Sequence, residues 1–176
     1  MNGPYSILCI DPPWPKNKGG KRAVRPNQGA SLDYDTMPIL DIFQLLNNLI
    51  FEMATPQHTI FLWCIDEFLP ICETQMLGRD YKLHARMIWD KTNGIAPAFS
   101  IRYTHEYVLW YYKPKFMQVA ETFKGKYTTV FQEKAREHSR KPDYFYNMIN
   151  NCFPTEPKID IFSREKRVGW TQWGNQ

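Results

Sequence analysis

The sequence lacks the features that mark several broad classes of protein. No apolar run approaches the length of about 18 residues that a membrane-spanning helix needs. Residues 1–11 show no basic region followed by a signal-like core, and we find no internal repeat, low-complexity tract or interdomain linker. With 43% hydrophobic residues in a chain of 176, we expect one domain, 1–176, with no membrane segment and a cytoplasmic location.

Cysteine spacing excludes two kinds of site. The chain has four cysteines and no CxxC pair. Two of them, Cys9 and Cys64, lie in apolar, strand-like runs. The pattern indicates reduced thiols in the core rather than a disulfide framework or a zinc site, and we predict no bound metal.

Neither sign of charge dominates the composition, but one segment contains no acid at all. The net charge of +4 permits a polyanionic partner without requiring one. Residues 15–32 combine five cations with three glycines, which predicts a flexible basic loop suited to a phosphate backbone. The alternative is a solvated loop. The five cations are Lys16, Lys18, Lys21, Arg22 and Arg25, and Lys124 and Lys126 are expected to extend the patch.

Short apolar runs alternate with segments of helical spacing. The clearest helix is predicted to begin with an N-cap at Thr36, to place apolar residues on one face as far as Met53 and to end at Pro56. The strands are predicted at Tyr5–Ile10, His58–Cys64, Leu83–Asp90, His105–Lys113 and Lys158–Phe162.

Two further helices complete an alternating pattern. They are predicted at Asp66–Leu77, ended by Gly78, and between Pro142 and Pro154. Such alternation predicts a Rossmann-like α/β fold, with a mostly parallel twisted sheet covered by helices on both faces. Ligands of these sheets bind beyond the carboxyl ends of the strands.

The first strand is followed by a stiff turn of unusual chemistry, Asp11-Pro12-Pro13-Trp14. Each proline fixes φ and lacks an N–H, so the turn presents carbonyl oxygens and a carboxylate as acceptors beside an aromatic wall. A planar ring with an amino group, such as adenine, fits because its N–H bonds can reach Asp11 and the Pro12 carbonyl while the ring stacks on Trp14. Fixed acceptors would also stabilise the charge that develops as this weakly nucleophilic amine attacks a methyl donor. The alternative is an ordinary loop with a packing tryptophan.

Seven further stretches accompany DPPW in a fixed order. With DPPW, they resemble the MT-A70-type adenine-N(6) methyltransferases, a family that uses S-adenosylmethionine and includes the eukaryotic messenger-RNA enzyme and bacterial and phage DNA enzymes. The resemblance spans nearly the whole chain and implies a bacterial or phage member. The stretches are YDTM (34–37), FLW (61–63), MIWDK (87–91), HEYVL (105–109), REHSRKPD (136–143), KIDIFSR (158–164) and WGNQ (173–176).

The resemblance implies roles for residues at matching positions. The catalytic residues Asp11 to Trp14 would hold the target amine and its ring. Tyr34 matches an aromatic residue that covers the incoming base, and Glu106 matches an acid near the adenine; a core tyrosine and a strand-surface acid are the alternatives. Lys141 matches a lysine that reaches the methionine carboxylate or the target nucleotide; the alternative is a solvated lysine. A cation at the start of a helix opposes the helix dipole, which argues against a purely structural role.

The resemblance also implies that the last predicted strand carries the cofactor. Asp160 would accept from ribose hydroxyls, as acids of dinucleotide folds do, and Phe162 would pack on the cofactor adenine. The alternatives are a strand-end salt bridge for Asp160 and Arg164 and a frayed tail for Asn175 and Gln176. The predicted cofactor-binding residues are Ile10, Asp11, Lys141, Asp160, Phe162, Arg164, Asn175 and Gln176.

Two departures from the family pattern concern the cofactor. Longer members carry a cofactor-contacting acid well upstream of the catalytic strand, whereas only ten residues precede Asp11. Lys166 stands where the messenger-RNA enzyme has a histidine. We therefore expect these two cofactor contacts to be missing or replaced.

The expected activity is methylation of a flipped adenine in DNA, with S-adenosylmethionine as cofactor. Alternatives are an RNA adenine methyltransferase and a non-catalytic subunit that presents nucleic acid to a partner. We expect a homodimer or a partner subunit, because a chain devoted to chemistry has little surface left for reading a sequence.

Overall fold

Every strand in the described part of the chain joins a single sheet. The computed structural model describes residues 4–15, 36–95, 101–136, 140–163 and 165–174, and only the backbone of Phe51. No helix within these ranges is both long and apolar enough to cross a membrane. The elements are β1 (Tyr5–Ile10), α1 (Ile39–Met53), β2 (Ala54–Cys64), α2 (Leu69–Leu77), β3 (Lys82–Asp90), β4 (His105–Lys113), β5 (Val130–Gln132), α3 (Asp143–Cys152), β6 (Lys158–Ile161) and β7 (Trp170–Trp173), with 3₁₀ turns at Asp66–Phe68 and Glu121–Phe123.

The strands are mostly parallel, with one exception inside the sheet. Their order is β5-β3-β4-β2-β1-β6-β7. β4 is antiparallel to β2 and β3, and the other adjacent strands are parallel. The carboxyl ends of the parallel strands therefore share one edge with the amino end of β4. At this carboxyl edge Ile10 pairs with Leu62 and Ile161, and Asp90 pairs with His105.

Alternation along β1 divides the core into two layers. Leu8 and Ile10 belong to the apolar cluster under α1 and α2, whereas Ile7 and Cys9 belong to the cluster under α3. Both faces of the sheet are thus covered, which is why β1 is buried along its whole length. The Rossmann-like α/β prediction is confirmed. All four cysteines are buried free thiols, as predicted.

The first helix differs from its prediction at both ends. Its N-cap is Pro38 rather than Thr36, because the backbone N–H of Met37 is held by the Pro13 carbonyl at 2.9 Å in the segment before the helix. The helix ends at Met53 and leads directly into β2. Pro56 lies within β2, where the register with β1 shifts, an irregularity of the kind that accommodates proline in a strand.

The sequence analysis missed two strands at the sheet edges. β5 has three residues with only its middle one buried, and β7 has four residues. Neither forms an apolar run of the length that predicts a strand. β7 follows the predicted last strand and pairs parallel with β6, so it closes that side of the sheet.

Candidate active site

The turn after β1 is fixed to its surroundings by backbone hydrogen bonds. Asp11 N–H donates to the Ile161 carbonyl at 3.2 Å, which ties the turn to the end of β6. Trp14 N–H donates to the Pro12 carbonyl at 2.8 Å, and the Pro13 carbonyl accepts from Met37. A carbonyl oxygen has two lone pairs, and the Pro12 carbonyl uses one of them in this hydrogen bond. The turn is therefore a rigid array of acceptors at the carboxyl edge.

Trp14 occupies a different position from the expected aromatic wall. Its side chain is only 8% exposed, and its ring stacks on Phe68 at a centroid distance of 5.2 Å. The indole N–H donates to the Trp63 carbonyl at 3.1 Å. An indole has a large apolar surface and one donor, and both are satisfied inside the core. Trp14 thus anchors the turn from below, and the stacking of a target ring on it remains a prediction.

Asp11, Glu106 and Lys141 come together at the carboxyl edge. The Lys141 ammonium lies 3.1 Å from Asp11 Oδ1 and 2.9 Å from Glu106 Oε2. Lys141 also lies over the Trp63 ring, 5.0 Å from its centroid. A second cation, Lys91, holds Glu106 Oε1 at 2.5 Å. The four charged groups form an alternating chain, Lys91–Glu106–Lys141–Asp11, hereafter the charge chain.

The topology explains how residues so distant in sequence meet. Asp11 directly follows β1 and Lys91 directly follows β3. Glu106 is the second residue of β4, which reaches the same edge because β4 runs antiparallel. Lys141 precedes Pro142, the N-cap of α3. Two carboxylates neutralise Lys141, so the unfavourable helix dipole is not its dominant electrostatic contact.

The charge chain holds Glu106 and Lys141 in their ionised forms. Burial alone would raise the pKa of Glu106, but the ammonium groups of Lys141 and Lys91 outweigh burial and lower that pKa to about 2. Burial would lower the pKa of Lys141, and the carboxylates of Asp11 and Glu106 instead raise it above its ordinary value. Glu106 and Lys141 are therefore charged at neutral pH. Glu106 is neither a general acid nor an exposed surface acid.

Asp160 lies beneath the surface of the carboxyl edge. It is 1% exposed, and no residue in the described part of the chain hydrogen-bonds to either carboxylate oxygen. Burial raises the pKa of Asp160 to about 6, and the nearby hydroxyl groups of Tyr146 and Ser163 offset part of this rise. Arg167 Nε is 4.0 Å away. The side chain faces the α3 layer, and its contact with a ribose remains a prediction.

Phe162 forms a strained turn immediately after β6. Its φ of 66° is rare for an aromatic residue, and its N–H donates to the Trp173 carbonyl at 2.7 Å. A Cβ added at Gly174, where φ is +146°, would lie 3.2 Å from the Phe162 Cα. The Phe162 ring is 9% exposed and packs against Trp173. The packing of Phe162 on a cofactor ring remains a prediction beside this contact.

The remaining predicted residues divide into three groups. Ile10 is buried in β1 and approaches the site only through its backbone. Lys124 and Lys126 lie in the segment between β4 and β5, and their part in a basic patch remains a prediction because the other cations of that patch lie outside the described residues. Nine residues lie outside the described ranges, namely Lys16, Lys18, Lys21, Arg22, Arg25, Tyr34, Arg164, Asn175 and Gln176.

Two charged residues were missed. Lys91 ends the MIWDK stretch, and its position just after a strand was the signal that would have found it. Arg167 lies over the Tyr146 ring at 3.6 Å and donates to Asp143 and Glu165. No pattern in the sequence marks Arg167, since its partners come together only in the folded chain.

Comparison with known proteins finds relatives that are named as methyltransferases. A type II methyltransferase of Mycoplasma sp, M.MunI, is 27% identical over 188 aligned residues, which cover 97% of this chain and 76% of that protein. Proteins named MT-A70-like N(6)-adenosine-methyltransferases from Medicago truncatula (where that name is qualified as putative) and Arabidopsis thaliana are 27% and 26% identical over 99% of the chain. The chain spans only 26% and 24% of the length of these plant proteins. The MT-A70 family profile matches residues 5–176, and the chain therefore belongs to the MT-A70 family of methyltransferases.

Proposed function

We propose that the chain transfers the methyl group of S-adenosylmethionine to the exocyclic N(6) amine of a DNA adenine that is flipped out of the duplex. The observation that carries this proposal is the position of Asp11. Its carboxylate stands on a rigid turn at the carboxyl edge, beside the Pro12 carbonyl and within 3.1 Å of the Lys141 ammonium. This edge is where ligands of α/β sheets bind.

Asp11 and Pro12 supply what the amine needs. Its two N–H bonds can donate to the Asp11 carboxylate and to the second lone pair of the Pro12 carbonyl. These fixed acceptors stabilise the positive charge that grows on nitrogen as its lone pair forms the new bond to carbon. As the new bond forms, the bond between the methyl carbon and the cofactor sulfur would break, and S-adenosylhomocysteine would leave. The N–H proton would then pass from the positively charged nitrogen to solvent water, so a strong general base is unnecessary. Trp14 contributes by holding the turn in place.

The charged groups at the carboxyl edge fit the amino-acid end of S-adenosylmethionine. When bound, this cofactor supplies an electrophilic methyl group on a positively charged sulfur. Lys141 offers a cation to the cofactor carboxylate, and Asp11 offers an anion to its ammonium group. Gly174 lies close to Phe162 in the turn after β6 and leaves no free space for a side chain there. By resemblance, Ile10, Arg164, Asn175 and Gln176 complete the cofactor site.

DNA is the proposed polymer because of the bacterial relative. The chain spans 76% of the M.MunI methyltransferase but only about a quarter of the plant proteins. The five cations of residues 15–32 would contact phosphates, and Tyr34 and Glu106 would lie near the base. RNA is the second candidate polymer, because the plant relatives are named N(6)-adenosine-methyltransferases. A non-catalytic subunit is the third, although such a protein has no need of the acceptor array.

A side-by-side assay tests the proposal. The protein is incubated with S-adenosylmethionine and double-stranded DNA, single-stranded DNA or RNA, and the nucleosides are then analysed by mass spectrometry. We expect N(6)-methyladenine in DNA. Methylation of RNA alone would establish the second candidate. Cofactor binding by calorimetry with no methylation of any polymer would establish a non-catalytic role.

A further inference from the structure

Lys91 is fixed by contacts of its backbone, of its neighbour Asp90 and of its side chain. Its backbone N–H donates to the Thr104 carbonyl at 2.9 Å, and its carbonyl accepts from Ala135 at 3.2 Å. The preceding Asp90 accepts from the Thr92 N–H and from Gln132, each at 2.9 Å. The side chain of Lys91 lies over the Trp89 ring, 5.4 Å from its centroid. The backbone and the stem of Lys91 are both fixed in the direction of Glu106.

This placement gives each carboxylate oxygen of Glu106 its own cation. Lys91 binds Oε1, and Lys141 binds Oε2. Without Lys91, the Oε1 atom of Glu106 would lose its partner. Lys141 would then be the one cation left in the charge chain for the two carboxylates. The stronger attraction to an unpaired Glu106 would draw Lys141 away from Asp11. Lys91 therefore determines how closely Lys141 approaches the acceptor turn.

We propose that Lys91 is a positioning residue, which fixes Glu106 so that Lys141 stays directed at the Asp11 carboxylate. This inference rests on the proposed function, because its effect on turnover exists only if the Asp11 turn performs the transfer. Lys91 acts through Glu106 and Lys141 and does not contact the reacting atoms. The charged or titratable groups around Glu106 are Lys91, Lys141, Asp11 beyond it and the Cys64 thiol of β2.

The test compares Lys91→Met, which keeps the stem without the charge, with Lys91→Arg, which restores a cation. Lys115→Met is the matched control, since Lys115 is exposed in the segment that leaves β4 at the opposite edge. We expect Lys91→Met to lower kcat up to about a hundredfold by misplacing the site, with cofactor affinity changed much less. Lys91→Arg should recover part of the loss, and Lys115→Met should behave as wild type.

A second measurement does not depend on activity. The Glu106 carboxyl, with a pKa of about 2 in the intact charge chain, is followed by carbon-detected nuclear magnetic resonance as the pH is varied. Removing one of its two cations should raise that pKa by about one to three. Lys91→Gln replaces Lys91→Met if the latter does not fold. An unchanged Glu106 titration together with unchanged kcat would overturn the inference, whereas a raised pKa in a protein that methylates nothing would support the positioning and refute only the proposed function.

Discussion

The ammonium of Lys141 lies 3.1 Å from the carboxylate of Asp11, although 129 residues lie between the two along the chain. The contact joins the turn after β1 to the residue that precedes the N-cap of α3. It places a cation beside the acceptor array. The proposed chemistry depends on this pairing.

Asp11 itself gives the first prediction. Asp11→Ala removes an acceptor of the target amine and should abolish measurable methyl transfer while the protein remains folded, because Asp11 lies in a turn outside the buried strand. Mass spectrometry of methylated nucleosides measures the transfer, and circular dichroism checks the fold. A folded variant with activity close to wild type would show that the transfer does not use this carboxylate.

Lys141 should matter for stability as well as for turnover. Lys141→Met leaves Asp11 and the buried Glu106 without their shared cation, which should destabilise the fold by about 3 to 5 kcal/mol. The double variant Lys141→Met with Glu106→Gln should recover part of this loss but no activity. Urea unfolding measures both. A Lys141→Met protein as stable as wild type would mean that the charge chain is not energetically coupled.

Asp160 should make stability depend on pH. Its pKa is raised from 3.8 to about 6 in the folded protein, so the folded state binds its proton more tightly than the unfolded state does. The stabilisation is fully present below about pH 4 and is lost as the pH rises through about 6, a change of about 3 kcal/mol.

The measurement is urea unfolding at several pH values. Asp160→Asn should remove this part of the pH dependence, whereas Asp66→Asn, at an exposed acid, should keep it. Calorimetry on Asp160→Asn also tests the predicted ribose contact. A strong loss of cofactor affinity would support that contact, and an unchanged affinity would contradict it.

Gly174 should tolerate no side chain. Gly174→Ala combines a φ of +146° with a Cβ 3.2 Å from the Phe162 Cα, and we expect a loss of about 1 to 3 kcal/mol in the free energy of unfolding. Gly125→Ala is the control for backbone strain alone, because its φ is +71° and nothing lies within 4 Å of the added Cβ. Equal losses in the two variants would show that the contact with Phe162 carries no cost of its own.

The assembly state is a separate prediction. Specific protein–DNA interfaces commonly bury about 1,000 to 2,500 Å² of protein surface, and a basic loop by itself supplies little of that area. We therefore expect a homodimer, or a complex with a partner subunit, when duplex DNA is bound. Light scattering with and without the duplex measures this. A strict monomer that methylates a defined site unaided would instead place recognition in residues 15–32.

The local sequence pattern was sufficient for most of the fold. β1 was predicted with its observed bounds, and β4 likewise, because uninterrupted apolar runs between breaking residues indicate buried strands. The DPPW turn was found because prolines after an apolar strand restrict the backbone whatever surrounds them. The edge strands β5 and β7 were missed, since pairing with a neighbour, rather than their own composition, makes them strands.

The alternation of elements, the family and the rigid turn that carries Asp11 could all be predicted from the sequence, because they depend on residues adjacent along the chain. Which charges meet could not be predicted without the folded structure. The antiparallel direction of β4 brings Glu106 to the carboxyl edge and takes Lys113 to the opposite one. The layer that a strand residue faces decides that Asp160 is enclosed, and packing on Phe68 encloses Trp14. Electrostatic attraction and burial depend on distances in space, and the spacing of residues along a chain does not specify those distances.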